Sequence, residues 1–209
     1  MPALFVTGTD TGVGKTLISA ALCAALGAAY WKPLQTGAAD GDNDTAEVAR
    51  LVGLRPEQVF APARVYADPS APERAAALAG QSVSLADVLP HLPAARPLIV
   101  EGAGGVLVPI NAHETMLDLM AALAFPVVVV ARSTLGTINH TLLTVRAVRE
   151  RGLAVAGVVL SGPPMPHNAE AVARHAAVRV LECPVLAQVT PQTLQALARQ
   201  HDWAALSRI

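Results

Sequence analysis

The chain has 209 residues, of which 53% are apolar and 15% charged, and its formal net charge is −1. This length and apolar content predict one α/β domain over residues 1–209 with a substantial buried core. The near-zero net charge argues against nucleic acid as a partner. The sequence has no continuous run of about eighteen apolar residues, which argues against a membrane-spanning helix. Cys23 and Cys183 are expected to be small core residues. The N-terminus lacks the basic segment of a signal peptide, so we expect a cytoplasmic protein.

A glycine-rich segment, 8–16, lies between an apolar run and an alanine-rich segment. The run 3–6 predicts a buried strand, and 17–26 predicts a helix. Strand, glycine-rich turn, Gly-Lys-Thr and helix together indicate a phosphate-binding loop, whose backbone N–H groups wrap a phosphate beside the positive end of the helix dipole. Lys15 is then expected to reach the β- and γ-phosphates of a nucleotide, and the Thr16 hydroxyl to ligate Mg²⁺.

The spacing of this loop departs from the standard motif. The standard position of the first glycine is Thr9, whereas the chain has its glycine one residue earlier, at Gly8. The partition and division-site ATPases carry a signature lysine four residues before the last loop glycine, and that position is Asp10 here. The segment therefore predicts a variant phosphate loop without the feature of that regulatory branch.

A lysine follows the next predicted strand, 28–31. Lys32 and Pro33 stand where this strand ends. The carboxyl ends of parallel strands are where α/β folds bind ligands. We therefore interpret Lys32 as a candidate functional residue, although a lysine at a strand end is also an ordinary surface residue.

Residues 42–45 place several acidic or polar side chains before a predicted helix, 46–52. Each of these side chains can cap that helix. Alternatively, one of the carboxylates, Asp42 or Asp44, completes a Mg²⁺ shell, since Mg²⁺ takes one or two protein carboxylates and keeps several waters. The residues alone leave both interpretations open.

Another carboxylate follows the predicted strand 97–100. Glu101 stands at the expected tip of this apolar run, and the glycine-rich segment 102–105 comes next. We expect Glu101 to reach Mg²⁺ or its waters, because the neighbouring glycines let the backbone approach a ligand closely. The alternative interpretation is a simple turn.

The rest of the chain alternates predicted strands and helices. Strands are expected over 126–131, 155–160 and 185–189, and helices over 71–79, 84–92, 116–124, 141–151, 168–177 and 191–199. This alternation predicts a doubly wound, mostly parallel sheet with right-handed crossovers. The loop 132–140 enters a helix whose exposed N–H groups can bind a carboxylate, or can be capped by Thr137 or Asn139.

Four segments in chain order resemble the dethiobiotin synthetases, the ATP-dependent carboxylases of biotin synthesis. They are Gly8–Thr16, Lys32-Pro33 with Thr36-Gly37, Val100–Gly105 and Leu135–His140. The resemblance spans nearly the whole chain and implies a P-loop NTPase-like fold. It also implies that CO₂ joins the two amines of 7,8-diaminononanoate in a cyclic urea, while ATP becomes ADP and phosphate.

The resemblance implies roles for individual residues. Nucleotide contacts are implied for Gly12, Val13, Gly14, Lys15, Thr16, Leu17, Asp44, Glu101, Gly102, Ala103, Gly104, Ser161 and Gly162. Mg²⁺ is implied at Thr16, Asp44 and Glu101, and the diamine at Thr36. The substrate carboxylate is implied at Gly136, Thr137, Ile138 and Asn139, supplied by the other subunit of a homodimer. Lys15 and Lys32 are the implied catalytic residues, stabilising the phosphates and the carbamate respectively.

The site for the nucleotide base departs from the family pattern. Some members carry Asn followed by Asp after the strand that matches 155–160, whereas this chain has Ser161-Gly162. An Asn amide can both donate to and accept from a base edge, and Ser-Gly offers less. The preference for adenine therefore stays open.

Two other functions share parts of this pattern. A cobyrinate-type amidoligase has the first and third segments, but that class normally carries a glutamine amidotransferase domain, for which 209 residues leave no room. A nucleotide-switch ATPase of the partition type is disfavoured by Asp10 and by the lack of a basic amphipathic helix near the C-terminus.

Overall fold

A computed structural model describes residues 3–207 and shows a seven-stranded parallel sheet. Its strands are β1 (Ala3–Gly8), β2 (Ala29–Trp31), β4 (Val59–Phe60), β6 (Leu98–Gly105), β7 (Val127–Arg132), β8 (Val155–Ser161) and β9 (Val180–Cys183). Their order across the sheet is β4-β2-β6-β1-β7-β8-β9, and every neighbouring pair is parallel. A separate small sheet pairs β3 (Leu34–Gln35) with β5 (Arg64–Val65). The predicted parallel architecture is confirmed.

Helices connect these strands. They are α1 (Lys15–Leu26), α2 (Asp44–Val52), α3 (Pro72–Leu78), α4 (Leu85–Val88), α5 (Met116–Leu123), α6 (Thr137–Glu150), α7 (Pro166–Ala176) and α8 (Pro191–Gln200). Short 3₁₀ helices occupy Ala38–Asp40, Pro56–Gln58, Leu89–His91 and Trp203–Ser207. Among residues 3–207, no helix is both long and apolar enough to cross a bilayer.

The helices cover both faces of the sheet, because successive strand residues point to opposite faces. Phe5 of β1 packs in a cluster with residues of α5, α6 and α7, whereas its neighbour Leu4 packs in a cluster with α1, α2 and α8. Trp31 and Tyr30 of β2 divide between the same two clusters. The doubly wound arrangement follows from this alternation, and β1 lies between β6 and β7 at its centre.

The prediction of a strand over 185–189 is wrong. The last strand lies earlier, at Val180–Cys183, and Val185 is 70% exposed. Glu182 interrupts the apolar pattern of the true strand, which lies half-buried at the edge of the sheet. Pro184 follows it and lacks the N–H group that would continue the ladder.

Several helices begin or end away from their predicted bounds, and three of them have a clear local reason. The helix α6 begins at Thr137, one turn before the predicted start, because Gly136 adopts a left-handed φ of 92° and lets the chain enter the helix at once. The helix predicted over 84–92 becomes the short α4 followed by a 3₁₀ turn, since Pro90 cannot continue an α-helix. In contrast, Pro166 starts α7 at its first position, where a missing N–H costs nothing.

The C-terminal 3₁₀ helix is anchored by Trp203. This side chain is 1% exposed, and its Nε1 donates to the carbonyl oxygen of Leu197 at 3.3 Å. We expect Trp203→Ala to lower the free energy of unfolding by about 3–5 kcal/mol, because it removes a large buried ring and leaves a cavity. Urea unfolding measures this change.

The control is Val185→Ala, in which an exposed side chain is shortened. Its free energy of unfolding is expected to stay within about 0.5 kcal/mol of the wild-type value. If Trp203→Ala unfolds at the same urea concentration as the control, the packing account of the C-terminus is wrong.

Candidate active site

The glycine-rich segment forms the loop between β1 and α1 at the carboxyl edge of the sheet. Gly14 adopts a left-handed φ of 97° directly before α1, a conformation that glycine takes without strain. Lys15 is buried, and its Nζ turns back to donate to the carbonyl oxygen of Asp10 at 3.0 Å. A buried ammonium at a helix N-terminus, inside a turn of backbone, suits the binding of an anion.

The shifted first glycine has a structural reason. A Cβ atom at Gly8 would lie 2.7 Å from the carbonyl oxygen of Asp10 and 3.1 Å from Nζ of Lys15. A side chain at this position would therefore collide with the loop backbone and displace the lysine. The loop needs its first glycine at position 8, where the sequence has it.

Side chains from separate segments converge beside this loop. Thr16 Oγ1 donates to Asp44 Oδ1 at 2.6 Å and to Glu101 Oε1 at 3.2 Å. Lys32 Nζ lies 2.5 Å from Asp44 Oδ2 and 3.2 Å from Glu101 Oε1. The hydroxyl and the ammonium thus each bridge the same two carboxylates.

The start of α2 positions Asp44. Asn43 caps this helix, and its side chain accepts the backbone N–H of Ala46 at 2.9 Å. The Asp44 side chain is therefore not the cap and can reach Thr16 and Lys32. Asp42, the other candidate carboxylate, is exposed and lines the neighbouring cavity without joining the cluster.

Glu101 does not stand at the tip of its strand. The strand β6 continues through Glu101 to Gly105, and it pairs with β1 at Glu101 and again at Gly105, with a register shift between the two positions. The glycines make this continuation possible, since a Cβ atom at Gly102 would lie 2.9 Å from the ring of Phe5. The Glu101 side chain is consequently fully buried, in the middle of the sheet rather than in a turn.

Three further residues of this site were not singled out by the sequence analysis. Tyr30 donates its hydroxyl hydrogen to Glu101 Oε2 at 2.9 Å. Gln35 Oε1 accepts the backbone N–H of Asp44 at 3.2 Å. The Ser70 hydroxyl is buried, and Ser70 lines the cavity.

One sequence signal could have strengthened the assignment of the two lysines. Lys15 and Lys32 are the only lysines in the chain, and the other basic residues that make up the total of 15 Lys and Arg are arginines. Both lysines line this cavity. A residue type confined to one cavity indicates a functional rather than a solubilising role.

The charges of the cluster shift one another's pKa values. Burial acts to lower the pKa of Lys32, but Glu101 and Asp44 outweigh it, so this pKa is raised. Burial acts to raise the pKa of Asp44, but the ion pair with Lys32 outweighs it, so this pKa is lowered. Burial lowers the pKa of Lys15. Burial and the Glu101 carboxylate hold the pKa of Tyr30 well above its usual value, so its hydroxyl stays a neutral donor.

The cluster opens into a cavity of about 470 Å³. Its walls are Thr11, Gly12, Gly14, Lys15, Thr16, Lys32, Gln35, Thr36, Asp42, Asp44, Pro69, Ser70, Ala71, Pro72, Glu101, Ala103, Gly104 and Val108. The structure therefore brings most of the phosphate loop together with Lys32, Thr36, both carboxylates and the glycine-rich end of β6.

The other nucleotide-binding residues implied by the resemblance do not line this cavity in the described part of the chain. Val13 and Gly102 are buried in the protein, and Leu17 is half-buried. Ser161 lies behind the phosphate loop, since a Cβ atom at Gly14 would be 3.0 Å from its Oγ. Gly162 packs against Ser133.

The segment 136–139 also lies outside the cavity of the lysines. It forms the first turn of α6, with Thr137 buried and Asn139 exposed. His140, the next residue, lines a second cavity of about 490 Å³. The remaining walls of that cavity are Thr9, Asp10, Thr11, Gly105, Val106, Leu107, Val108, Pro109, Leu143, Thr144 and Ala147. Thr11 and Val108 line both cavities, so the two adjoin.

The oxygen atoms of the cluster suit a hard cation. Over the described residues, no group of three or more His, Cys, Asp and Glu side chains is placed to hold a metal ion. The available set is the carboxylates of Asp44 and Glu101 with the hydroxyl of Thr16. Zinc takes nitrogen and sulfur ligands, whereas Mg²⁺ takes one or two carboxylates and completes its shell with waters and phosphate oxygens. This set therefore fits Mg²⁺.

The lowered pKa of Asp44 predicts how stability depends on pH. The contribution of this ion pair is fully present above the unfolded pKa near 3.8 and is lost as pH falls through the lower folded pKa. Asp44→Asn removes the titrating group, so its free energy of unfolding should fall less steeply than that of wild type below about pH 4. Urea unfolding in EDTA over a series of pH values measures this slope.

The control is Asp40→Asn, which changes an exposed acid on the neighbouring 3₁₀ helix and is expected to follow wild type. Parallel stability curves for Asp44→Asn and wild type would contradict the ion-pair account.

Comparison with known proteins identifies the family. A family described as "AAA domain" matches residues 2–193. The chain is 46% identical over 209 residues to the ATP-dependent dethiobiotin synthetase BioD of Novosphingobium aromaticivorans, which covers 98% of this chain and 100% of that protein. It is 48% identical over 199 residues to the biotin biosynthesis bifunctional protein BioCD of Bordetella avium, covering 94% of this chain but only 42% of that longer protein. A nucleotide-binding protein in complex with ADP from Archaeoglobus fulgidus has a TM-score of 0.48 and 14% identity, over 97% of this chain and 90% of that chain. Because its identity to the Novosphingobium protein extends over nearly the whole length of both chains, this chain belongs to the dethiobiotin synthetase family.

Proposed function

We propose that this chain joins CO₂ to the two amines of 7,8-diaminononanoate and closes a cyclic urea, while ATP becomes ADP and phosphate. The observation that carries the proposal is that both lysines of the chain line one cavity. The hydroxyl of Thr16 and the carboxylates of Asp44 and Glu101 line the same cavity. Cations and a metal site side by side suit a reaction between two anions. We further propose that residues 1–209 act as one domain in the cytoplasm, as the sequence predicts.

The phosphate loop is the proposed site of the ATP phosphates. The helix α1 begins at Lys15, directly after this loop, and the first N–H groups of a helix have no intrahelical acceptor and favour negative charge. Lys15 here donates to a backbone carbonyl, and a phosphate is the stronger acceptor for an ammonium. A phosphate beside Lys15 also favours its charged form, against the effect of burial.

Lys32 is the proposed stabiliser of the carbamate. An amine that adds to CO₂ loses a proton and becomes an anionic carbamate, which must then attack the anionic γ-phosphate. The ion pairs with Asp44 and Glu101 outweigh burial and raise the pKa of Lys32, and its ammonium group is proposed to offset this repulsion. Lys15 lines the same cavity as Lys32, so both ammonium groups are proposed to act on one reaction centre.

Thr16, Asp44 and Glu101 are the proposed Mg²⁺ ligands. When bound, the ion supplies further neutralisation of the phosphate charge. The convergence of the Thr16 hydroxyl on both carboxylates supports this assignment. Lys32 shares the same two carboxylates, so we expect Mg²⁺ affinity and the position of Lys32 to depend on each other.

The two ends of the diamine substrate are proposed to bind in different places. Thr36 lines the cavity of the lysines and is the proposed contact of the diamine end. The first turn of α6, residues 136–139, is the proposed contact of the carboxylate but lies outside that cavity. This separation supports a homodimer in which the α6 helix of one subunit completes the site of the other.

Ser161 and Gly162 are the proposed residues beside the nucleotide base. Their location behind Gly14 supports this placement, since Ser161 adjoins the phosphate loop. An asparagine amide offers both a carbonyl acceptor and an NH₂ donor to the edge of a base, whereas a serine hydroxyl and a glycine backbone offer fewer hydrogen bonds in a fixed geometry. We therefore propose looser discrimination between nucleotides than in relatives that carry Asn.

One assay tests the function directly. ADP formation with Mg²⁺ and ATP should require both 7,8-diaminononanoate and bicarbonate. ADP formation that ignores both additions would instead indicate a nucleotide-switch ATPase, and a requirement for ammonia or glutamine would indicate an amidoligase.

The phosphate-loop lysine is expected to dominate turnover. Lys15→Ala should lower kcat by about 10²–10³-fold, because it removes one preorganised cation beside developing charge. Circular dichroism and urea unfolding check that the variant folds. Arg50→Ala is the control, since Arg50 is exposed and pairs with Glu47 on α2. A folded Lys15→Ala protein with the turnover of the control would remove the phosphate-loop assignment.

The shared-site proposal predicts complementation between two inactive variants. Lys32→Ala lacks the carbamate stabiliser, and Gly136→Trp blocks the start of α6. In an equal mixture that exchanges subunits, half of the dimers are mixed, and each mixed dimer holds one intact site. We therefore expect recovery to about a quarter of wild-type activity.

Sedimentation of the wild-type protein and activity of each variant alone are the controls for this mixture. A monomer at assay concentration, or an exchanged mixture that stays inactive, would show that residues 136–139 form only a helix start.

A further inference from the structure

The two oxygens of the Glu101 carboxylate have different partners. Oε1 lies 3.2 Å from both Thr16 Oγ1 and Lys32 Nζ, on the side of the cavity. Oε2 accepts the hydroxyl hydrogen of Tyr30 at 2.9 Å, on the side of the core. The Tyr30 hydroxyl therefore occupies one oxygen and leaves the other for the ligands of the site.

The fold holds the Tyr30 hydroxyl firmly in this place. Tyr30 lies on β2, which pairs with β6 so that Tyr30 stands opposite Ile99. Its ring is fully buried in the cluster between the sheet and α1, which also contains Leu4 and Ile18. A ring packed in this way cannot swing the hydroxyl away from Glu101 without opening the core.

The packing by itself does not require a hydroxyl at this position. A phenylalanine ring would fill the same apolar space, whereas a buried hydroxyl costs free energy unless it is hydrogen-bonded. Among the described residues, the hydrogen bond of the Tyr30 hydroxyl is the one to Glu101. The hydroxyl therefore contributes a hydrogen bond to the Glu101 carboxylate, whereas the packing of the core does not need it.

We propose that Tyr30 is a positioning residue for the Mg²⁺ site: its hydroxyl holds the Glu101 carboxylate in the orientation that presents Oε1 to the metal. This inference rests on the proposed function only in taking Glu101 as a Mg²⁺ ligand. Partners that orient a metal-binding side chain typically change metal affinity by about 10–100-fold when they are removed.

The contribution of the metal can be measured through ADP binding, because ADP binding requires neither the diamine nor turnover. We compare calorimetric ADP titrations of wild type and Tyr30→Phe in EDTA and over a series of Mg²⁺ concentrations. In EDTA, Tyr30→Phe is expected to bind ADP like wild type. The Mg²⁺ concentration that gives half of the metal-dependent gain in affinity is expected to rise about 10–100-fold.

The matched control is Tyr66→Phe. Tyr66 is also a buried tyrosine, but its hydroxyl has no hydrogen-bond partner among the described residues. Its Mg²⁺ curve is expected to overlay that of wild type. Glu101→Gln supplies the coupling test: since Tyr30 acts through Glu101, Tyr30→Phe should add no further shift in that background.

Several results would overturn the inference. These are a Tyr30→Phe curve that overlays wild type, an equal loss of ADP affinity with and without Mg²⁺, an additive shift in the double variant, or wild-type ADP binding that ignores Mg²⁺. A wild-type enzyme that binds ADP with Mg²⁺ but shows no diamine-dependent turnover would instead overturn the proposed function, and the binding curves would still decide the role of Tyr30.

Discussion

The site depends on one buried ammonium held between two carboxylates. Lys32 is nearly enclosed by the protein, and an isolated charge in such a place would be very costly. Asp44 and Glu101 offset that cost, but only if β2, α2 and β6 are brought to the same point. The need to pair Lys32 therefore constrains the positions of three elements at once. Removal of one partner of a buried ion pair leaves the other charge uncompensated, so the lysine and its carboxylates stabilise the fold only when they are present together.

The sheet order meets this constraint. The strand β6 lies between β1 and β2, so the residues after β1, on β6 and after β2 all face one stretch of the carboxyl edge. Because Gly102 lacks a side chain, β6 passes close to Phe5 and carries Glu101 beneath the phosphate loop. The same geometry gives the two lysines different character. Lys32 gains two partners and a raised pKa, whereas burial lowers the pKa of Lys15 beside the loop.

Local signals predicted the elements whose patterns are strong. The valines of β7 and the strand–loop–helix around Gly14 were placed correctly, because long apolar runs and glycine-rich turns act over a few residues. Weak edge elements were not predicted. The strand β9 contains Glu182 and is half-buried, so its pairing with β8 decides its place more than its apolar content does. The early start of α6 depends on the backbone of Gly136, which hydrophobic periodicity does not report.

The sequence by itself determined the parallel α/β architecture, the phosphate loop and the choice of Lys15, Lys32 and Glu101 as candidate residues, since strand ends, glycines and rare charges are visible in one dimension. The residues alone left Asp42 and Asp44 open and the resemblance implied Asp44; only the tertiary structure shows that Asp44 is the one that reaches Lys32, because that contact joins segments that are separate in the sequence. It also decided that Glu101 lies within a strand and which side chains hold it. Those partners come from distant parts of the chain, and contacts between distant segments leave no local pattern to read.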